Sequence, residues 1–143
     1  MRTMICLLLV VCPCVAQTVR LSEPKTGATT LAAEVGDTLT IEVSAHIGTL
    51  QASGVAVNIR LPAEGLSVVD AGHRPFRALA MFDEALEFAN EYVREEDVLG
   101  LAHGSALLTY AVVLGPGTTQ QRSRSGSGPI AAFDVVCTAP LDE

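Results

Sequence analysis

The sequence predicts an all-β protein, an antiparallel β-sandwich, from two features. First, apolar residues recur at every second position in several short segments that are rich in β-branched residues. Second, glycine and proline stand between those segments, where the chain has to turn. Alternation of this kind gives each strand one buried and one solvated face, which is typical of antiparallel sheets.

The strands can be assigned in chain order from this alternation. Val55 to Leu61 shows it most clearly, because its apolar residues share one face and Asn58 and Arg60 lie on the other. Residues 62–65 form a turn, and residues 115–128, rich in Ser and Gly, are expected to form a flexible loop. The predicted strands cover residues 38–45, 55–61, 66–69, 106–114 and 130–137.

Residues 77–97 fit two different periods. Helical spacing relates Phe82, Ala85, Leu86, Ala89, Tyr92 and Val93. Strand alternation relates Leu86, Phe88, Asn90 and Tyr92. The segment is therefore either a short helical insertion lying on the sandwich or a strand followed by an acidic loop at 91–97.

Residues 1–16 have the composition of a secretory signal peptide. Arg2 supplies a positive charge, Ile5–Val11 form a short apolar run, and Cys14-Val15-Ala16 place small residues before a cleavage point. The run is shorter than the roughly 20 residues that a membrane span needs. We therefore expect a secreted, extracellular protein that does not insert into the membrane once the signal is removed.

The cysteines agree with a single domain over residues 17–143 that is stabilised by its core. Cys6, Cys12 and Cys14 lie in the signal peptide, so Cys137 alone remains and no disulfide framework can form. We expect Cys137 to be a small buried hydrophobic residue. Lipoprotein anchoring is the weaker alternative, because the residues before Cys12 and Cys14 do not match a lipid-attachment box.

The charge balance argues against nucleic acid as a partner. Sixteen Asp and Glu stand against nine Lys and Arg, one of which belongs to the signal peptide. Nucleic acids and anionic membranes are bound by basic patches. The acidic run could bind calcium, but it has no calcium-loop spacing, and a solvated face is the simpler interpretation. The run comprises Asp83, Glu84, Glu87, Glu91, Glu95, Glu96 and Asp97.

Catalytic residues are not predicted. His46, His73 and His103 are far apart and show no metal-ligand spacing, and Ser105 lies outside a nucleophile elbow. The chain has no Trp, and Tyr92 and Tyr110 are its only tyrosines, so it lacks the aromatic platforms on which sugar rings stack. We expect a protein that is not an enzyme and has no cofactor and no metal site.

Several pieces of the sequence follow one another in a characteristic order. They are Gly36-Asp37-Thr38 before a long strand, Leu66 to Gly72, Leu114-Gly115, and Gly126-Ser127-Gly128 leading into Ile130 to Val135. This order resembles that of a cohesin module, a jelly-roll sandwich related to bacterial carbohydrate-binding modules. The resemblance covers about Leu31 to Thr138 and implies a jelly roll of about nine strands.

Cohesins of cellulosomal scaffoldins bind the dockerin modules of polysaccharide-degrading enzymes through one face of the sandwich. Residues 57–62 are similar to a strand of that family, which places the partner-binding residues at Asn58 and Arg60. Gly54 and Ala56 stand where the family often has amides or acids, so the charge-assisted hydrogen bonds of a dockerin interface would need other anchors.

The resemblance implies a secreted, non-catalytic, monomeric module that docks a dockerin-like partner protein in polysaccharide catabolism or a cell-surface assembly. The alternative is a carbohydrate-binding module that recognises a soluble glycan. A third hypothesis is a stand-alone secreted structural protein that binds neither.

Overall fold

Strands make up most of the chain in the computed structural model, which describes residues 3–4, 18–62, 64–69, 72–94, 105–115 and 123–140. The strands are β1 (Thr3–Met4), β2 (Thr18–Ser22), β3 (Ala32–Ala33), β4 (Thr38–Ala52), β5 (Gly54–Leu61), β6 (Leu66–Val68), β7 (Arg77–Ala78), β8 (Leu86–Arg94), β9 (Ala106–Val113) and β10 (Arg124–Cys137). A 3-10 helix spans Ala80–Phe82.

The strands form two main antiparallel sheets. The five-stranded sheet has the order β2-β4-β10-β6, and β7 also pairs with β10. The three-stranded sheet has the order β5-β9-β8. A separate two-stranded pair joins β1 to β3. The all-β class and the antiparallel pairing predicted from the alternation are confirmed.

The inner faces of the two main sheets share one core. Phe76, just before β7, lies with its ring centroid 5.2 Å from that of Tyr110 on β9 and 5.2 Å from that of Phe133 on β10. Aromatic pairs at this separation add directional contacts to the apolar area that they bury. Phe82, Leu61, Leu108 and Ile130 are among the residues that complete this core. The two sheets therefore pack face to face as a β-sandwich.

Strands β4 and β10 are longer than the sequence predicts. β4 continues to Ala52, and β10 begins at Arg124 and pairs with that extension. The prediction of a loop up to residue 128 is therefore wrong for its last part. Gly126 and Gly48 adopt positive φ where the register shifts, and the extension lacks the regular apolar alternation that reveals a strand.

Residues 77–94 are mainly strand. The strand interpretation of this segment is correct for β8, and helical structure is limited to the three residues of the 3-10 helix, which bury Met81 and Phe82. A β-bulge between Glu87 and Ala89 interrupts the alternation, which explains why a helical period fitted equally well. Residues 95–97 of the predicted acidic loop lie outside the described residues.

Within the predicted signal peptide, the structure describes only Thr3–Met4, which pair with Ala32–Ala33. The boundary between signal peptide and domain remains a prediction. In the described part of the chain, no helix has the length and apolar character required to cross a membrane.

The connection from β4 in the five-stranded sheet to β5 in the three-stranded sheet is one residue long, Ser53. The Leu114 amide donates to the Ser53 carbonyl at 2.7 Å, which holds the crossing against the end of β9. Gly54 follows at once, and a Cβ atom there would lie 2.7 Å from the Val112 carbonyl oxygen. Because that neighbour is main chain, it cannot rotate away.

We therefore expect Gly54→Ala to lower the free energy of unfolding by about 1–3 kcal/mol, the usual cost of forcing extra volume into a packed site. Urea unfolding followed by circular dichroism measures the change. Gly128→Ala is the matched control, because the atoms nearest to its Cβ would be those of the Met81 side chain at 3.5 Å or more, which is an ordinary contact. Equal effects of the two substitutions would contradict the steric explanation.

Candidate functional site

The outer face of the three-stranded sheet carries both residues that the sequence predicts for partner binding. Asn58 and Arg60 are exposed on β5, and the inward residues between and beside them are buried. Thr109 on β9 lies opposite Asn58 and donates a hydrogen bond from its Oγ1 to Asn58 Oδ1 at 3.0 Å. Arg60 Nη2 lies 3.4 Å from Ser105 Oγ. The two predicted residues therefore lie two positions apart on one outer face, and each is hydrogen-bonded to a residue in or next to β9.

This face divides into two halves along the strand direction. The polar half is formed by Asn58, Arg60, Thr109 and Glu91, and the apolar residues Leu107 and Val93 lie in register with Arg60 on β9 and β8. The apolar half is formed by Gly54, Ala56, Ala111, Val113 and Leu86. The second half was missed by the sequence reasoning, because its residues come from three strands whose order is not encoded locally.

One large side chain stands out beside the apolar half. Phe88 lies in the β8 bulge and is 76% exposed. Leu86 is also exposed, and it covers Gly115, where an added Cβ would lie 2.7 Å from a Leu86 methyl carbon. Exposed large apolar side chains such as Phe88 and Leu86 are the kind of surface that partner proteins cover.

A polar network closes the sandwich along the β8 edge. The Asn90 side chain accepts from the Phe76 amide at 2.9 Å and donates to the Phe76 carbonyl at 2.8 Å. Asn90 also donates to Glu87 at 2.9 Å, and Glu87 forms an ion pair with Arg74. These contacts tie the chain before β7 to β8, so this side of the sandwich is already occupied.

Tyr110 lies beneath this network and is fully buried. Its hydroxyl has no hydrogen-bond partner among the described residues. Burial, and next the negative charge of Glu87, raises the pKa of the Tyr110 phenol. The tyrosine therefore serves as a core ring and not as a sugar platform, whereas Tyr92 is only half-buried and its ring lies 5.9 Å from that of His73.

The outer face of the five-stranded sheet is polar and its central charges are paired. Arg77 donates two hydrogen bonds to the Asp134 carboxylate, at 2.7 and 3.0 Å. Thr40 donates to the same carboxylate at 2.7 Å. The Arg77 hydrogen bonds, and after them the Thr40 hydroxyl, hold the pKa of Asp134 below its ordinary value, and Asp134 in turn raises the pKa of Arg77. The central charged residues of this face are therefore engaged with one another.

The acidic run does not form a single cluster in the part of the chain that is described. Glu87 and Glu91 extend from opposite faces of β8, and Glu84 lies 3.9 Å from Arg124. Residues 95–97 of the run lie outside the described residues. Within the described ranges, no group of three or more His, Cys, Asp or Glu side chains is placed to hold a metal ion.

Cys137 and His46 both lie in described strands. Cys137 is a free thiol that is 1% exposed, as the alternation of the last strand indicates. His46 is hydrogen-bonded to Ser127 across β4 and β10. His103 lies outside the described residues.

A small apolar cleft opens at one end of the sandwich. Its volume is about 30 Å³, which has room for ordered water and is far below the roughly 300 Å³ or more of ordinary ligand pockets. Its lining includes Leu21, Ser22, Leu31, Ile41, Leu61 and Phe133. Since these residues come from several elements, no local sequence pattern could have revealed the cleft.

Comparison with models of known protein families, with curated proteins and with solved structures finds no match to this chain. The fold and the face bearing Asn58 and Arg60 are therefore the basis for any statement about function.

Removing the Tyr110 hydroxyl should not destabilise the protein. An unsatisfied buried polar group costs about 1–3 kcal/mol, so we expect Tyr110→Phe to leave the free energy of unfolding unchanged or to raise it by up to about 1 kcal/mol. Thermal and urea unfolding measure the effect. Tyr92→Phe, the same change at a half-buried tyrosine, should bring no gain. A loss above about 1 kcal/mol in Tyr110→Phe would show that the hydroxyl has a partner.

The Asp134 carboxylate makes the free energy of unfolding depend on pH. Because its pKa is depressed in the folded state, its contribution is complete above about pH 5 and is lost as the pH falls through and below about 4. Arg77 is half exposed, so solvent screening limits the contribution to about 0.5–1 kcal/mol.

We expect Asp134→Asn to lower the unfolding free energy at pH 7 and to show a smaller further loss at pH 3.5 than the unmodified protein. Urea unfolding at both pH values measures this. Glu64→Gln, at an exposed carboxylate in the β5–β6 turn, should follow the unmodified profile. Parallel pH profiles of Asp134→Asn and the unmodified protein would refute the assignment.

Proposed function

We propose that the protein is a secreted, non-catalytic binding module that docks a partner protein through the outer face of its three-stranded sheet. The observation that carries this proposal is the exposed pair Asn58 and Arg60, which shares one sheet face with an apolar half. Protein interfaces combine an apolar centre with a polar rim, and arginine is enriched in them. The opposite outer face, with its paired charges, lacks this combination.

A protein partner fits the face better than a glycan does. Sugar-binding sandwiches stack pyranose rings on exposed aromatic side chains. Tyr110 is buried in the core, Tyr92 is half-buried, and the chain has no Trp. Phe88 is exposed, but it is a single apolar ring, which favours burial against apolar protein groups.

The finer part of the proposal rests on the order of the sequence pieces that resemble a cohesin. On that basis the partner is a dockerin-type module, in polysaccharide catabolism or a cell-surface assembly. The sandwich fold is compatible with this class. Gly54 and Ala56 contribute small apolar surface where polar anchors would otherwise stand, so the partner's contact residues opposite them should be apolar.

A capture experiment with matched variants tests the docking face. Immobilised residues 17–143 are exposed to the culture supernatant of the source organism, the retained protein is identified by mass spectrometry, and its recombinant form is titrated by calorimetry. We expect Asn58→Ala/Arg60→Ala to weaken binding at least about tenfold, since two polar contacts of an interface are removed.

The control is Glu42→Ala/Ser44→Ala on the outer face of the five-stranded sheet, where these two side chains hydrogen-bond to each other at 2.9 Å. It also removes one charge and one neutral polar group, and it should bind as the unmodified protein does. Equal weakening in both variants would refute the assignment of the face. Retention of no specific protein, together with binding on a glycan array, would replace the proposal by the carbohydrate-binding alternative.

A further inference from the structure

The outer edge of β5 is a long row of main-chain groups facing away from its sheet. Among the described strands, β5 stands at the end of the order β5-β9-β8. It pairs with β9 residue for residue over its whole length, from Gly54 opposite Val113 to Leu61 opposite Ala106. An edge of this kind is a template for pairing with another chain.

The register shows which residues of β5 direct their main-chain amide and carbonyl groups away from β9. The Leu114 amide donates to the Ser53 carbonyl at 2.7 Å, so these two residues form a hydrogen-bonded pair. Such pairs alternate with non-hydrogen-bonded pairs along an antiparallel ladder. The non-hydrogen-bonded pairs therefore contain Ala56, Asn58 and Arg60, whose amides and carbonyls point away from β9. The side chains of the same three residues are exposed.

The other edges of the two sheets are shorter or are guarded. β6 and β7 have three and two residues, and β2 has five, with the charged Arg20 outward at its centre. β8 carries a bulge, and Asn90 holds the main chain of Phe76 beside it. Bulges, charges and short length are the usual protections of edge strands. β5 has eight regularly paired residues, of which only Arg60 is charged. It is therefore protected neither by a bulge nor by short length.

We propose that β5 binds an extended segment of the partner protein, which adds to the three-stranded sheet as a fourth, antiparallel or parallel strand. This inference rests on the proposed docking role and names its chemistry. Alternating amides and carbonyls at strand spacing are complementary to another extended main chain. The small side chains of Gly54 and Ala56 let that chain approach, and Asn58 and Arg60 contact its neighbouring side chains.

The occupant is a different protein and not a second copy of this chain. The chain has a formal net charge of −7, so two copies repel each other. A glycan lacks the amide and carbonyl repeat that the edge matches. The favoured segment is rich in β-branched residues and carries an acidic residue near Arg60.

Amide hydrogen exchange tests the edge in the free protein. The amides of Ala56, Asn58 and Arg60 should exchange at least about tenfold faster than those of Val57 and Ile59, which bond to β9. Equal protection of the two sets would overturn the inference, because the edge would already be paired. Protection of the first set that rises with protein concentration would also overturn it, in favour of self-pairing.

Peptide binding tests the occupant. Random dodecapeptides displayed on phage are selected on the unmodified protein, and the enriched peptides are synthesised and titrated. We expect them to slow exchange of the Ala56, Asn58 and Arg60 amides, and Ala56→Pro to weaken their binding at least about tenfold. Proline removes an edge amide and places a ring in the path of the added strand.

Ala56→Ser is the matched control, since it changes the same side chain and keeps the amide, and it should bind the peptides normally. Circular dichroism and the protection of Val57 and Ile59 show that Ala56→Pro remains folded. Equal peptide binding by Ala56→Pro and Ala56→Ser would overturn the added strand. If binding of the captured protein were still weakened by Asn58→Ala/Arg60→Ala in that case, the docking face would be supported. Only the pairing of an added strand with β5 would be rejected.

Discussion

The pairing of β4 with β10 is the constraint on which the rest of the fold depends. These are the two longest strands, and their ladder joins Thr38 through Ala52 to the last strand. β2 attaches to the free side of β4, and β6 and β7 attach to β10. Because β4 continues through Ser53 into β5, the same ladder also fixes where the second sheet begins. Loss of this pairing would remove the support of both sheets at once.

Aromatic residues hold the two sheets together, and the cysteine that the structure describes, Cys137, is a free thiol. Phe76, Tyr110 and Phe133 come from separate strands or strand ends and meet in the middle of the sandwich. Tyr110 supplies its ring although its hydroxyl has no hydrogen-bond partner among the described residues, which indicates that packing volume outweighs polarity at this position. The chain has few aromatic residues, and most of them lie in the core. That distribution favours docking by shape and main-chain contacts over stacking on sugars.

Local alternation of apolar residues predicted the strands whose inner residues are apolar. It failed where main-chain pairing alone determines the strand. Val57 and Ile59 revealed β5 and correctly placed Asn58 and Arg60 on its outer face. The start of β10 was predicted as loop, because Ser and Gly pair there through main-chain bonds that leave no apolar signature. The exposed Phe88 and the open edge of β5 could not be foreseen, since both depend on strand order, which is set by contacts between distant parts of the chain.

The same β4–β10 ladder bears on how the protein acquires its shape during synthesis. Thr40 and Asp134, which meet across it, are 94 residues apart along the chain. β4 therefore emerges from the ribosome long before β10 exists, so its edge toward β10 stays unpaired until nearly the whole chain has been made. Folds dominated by such distant pairings form slowly, and they expose apolar surface until folding is complete. For a chain with a predicted export signal this delay is useful, because translocation of the chain across a membrane requires a polypeptide that has not yet folded.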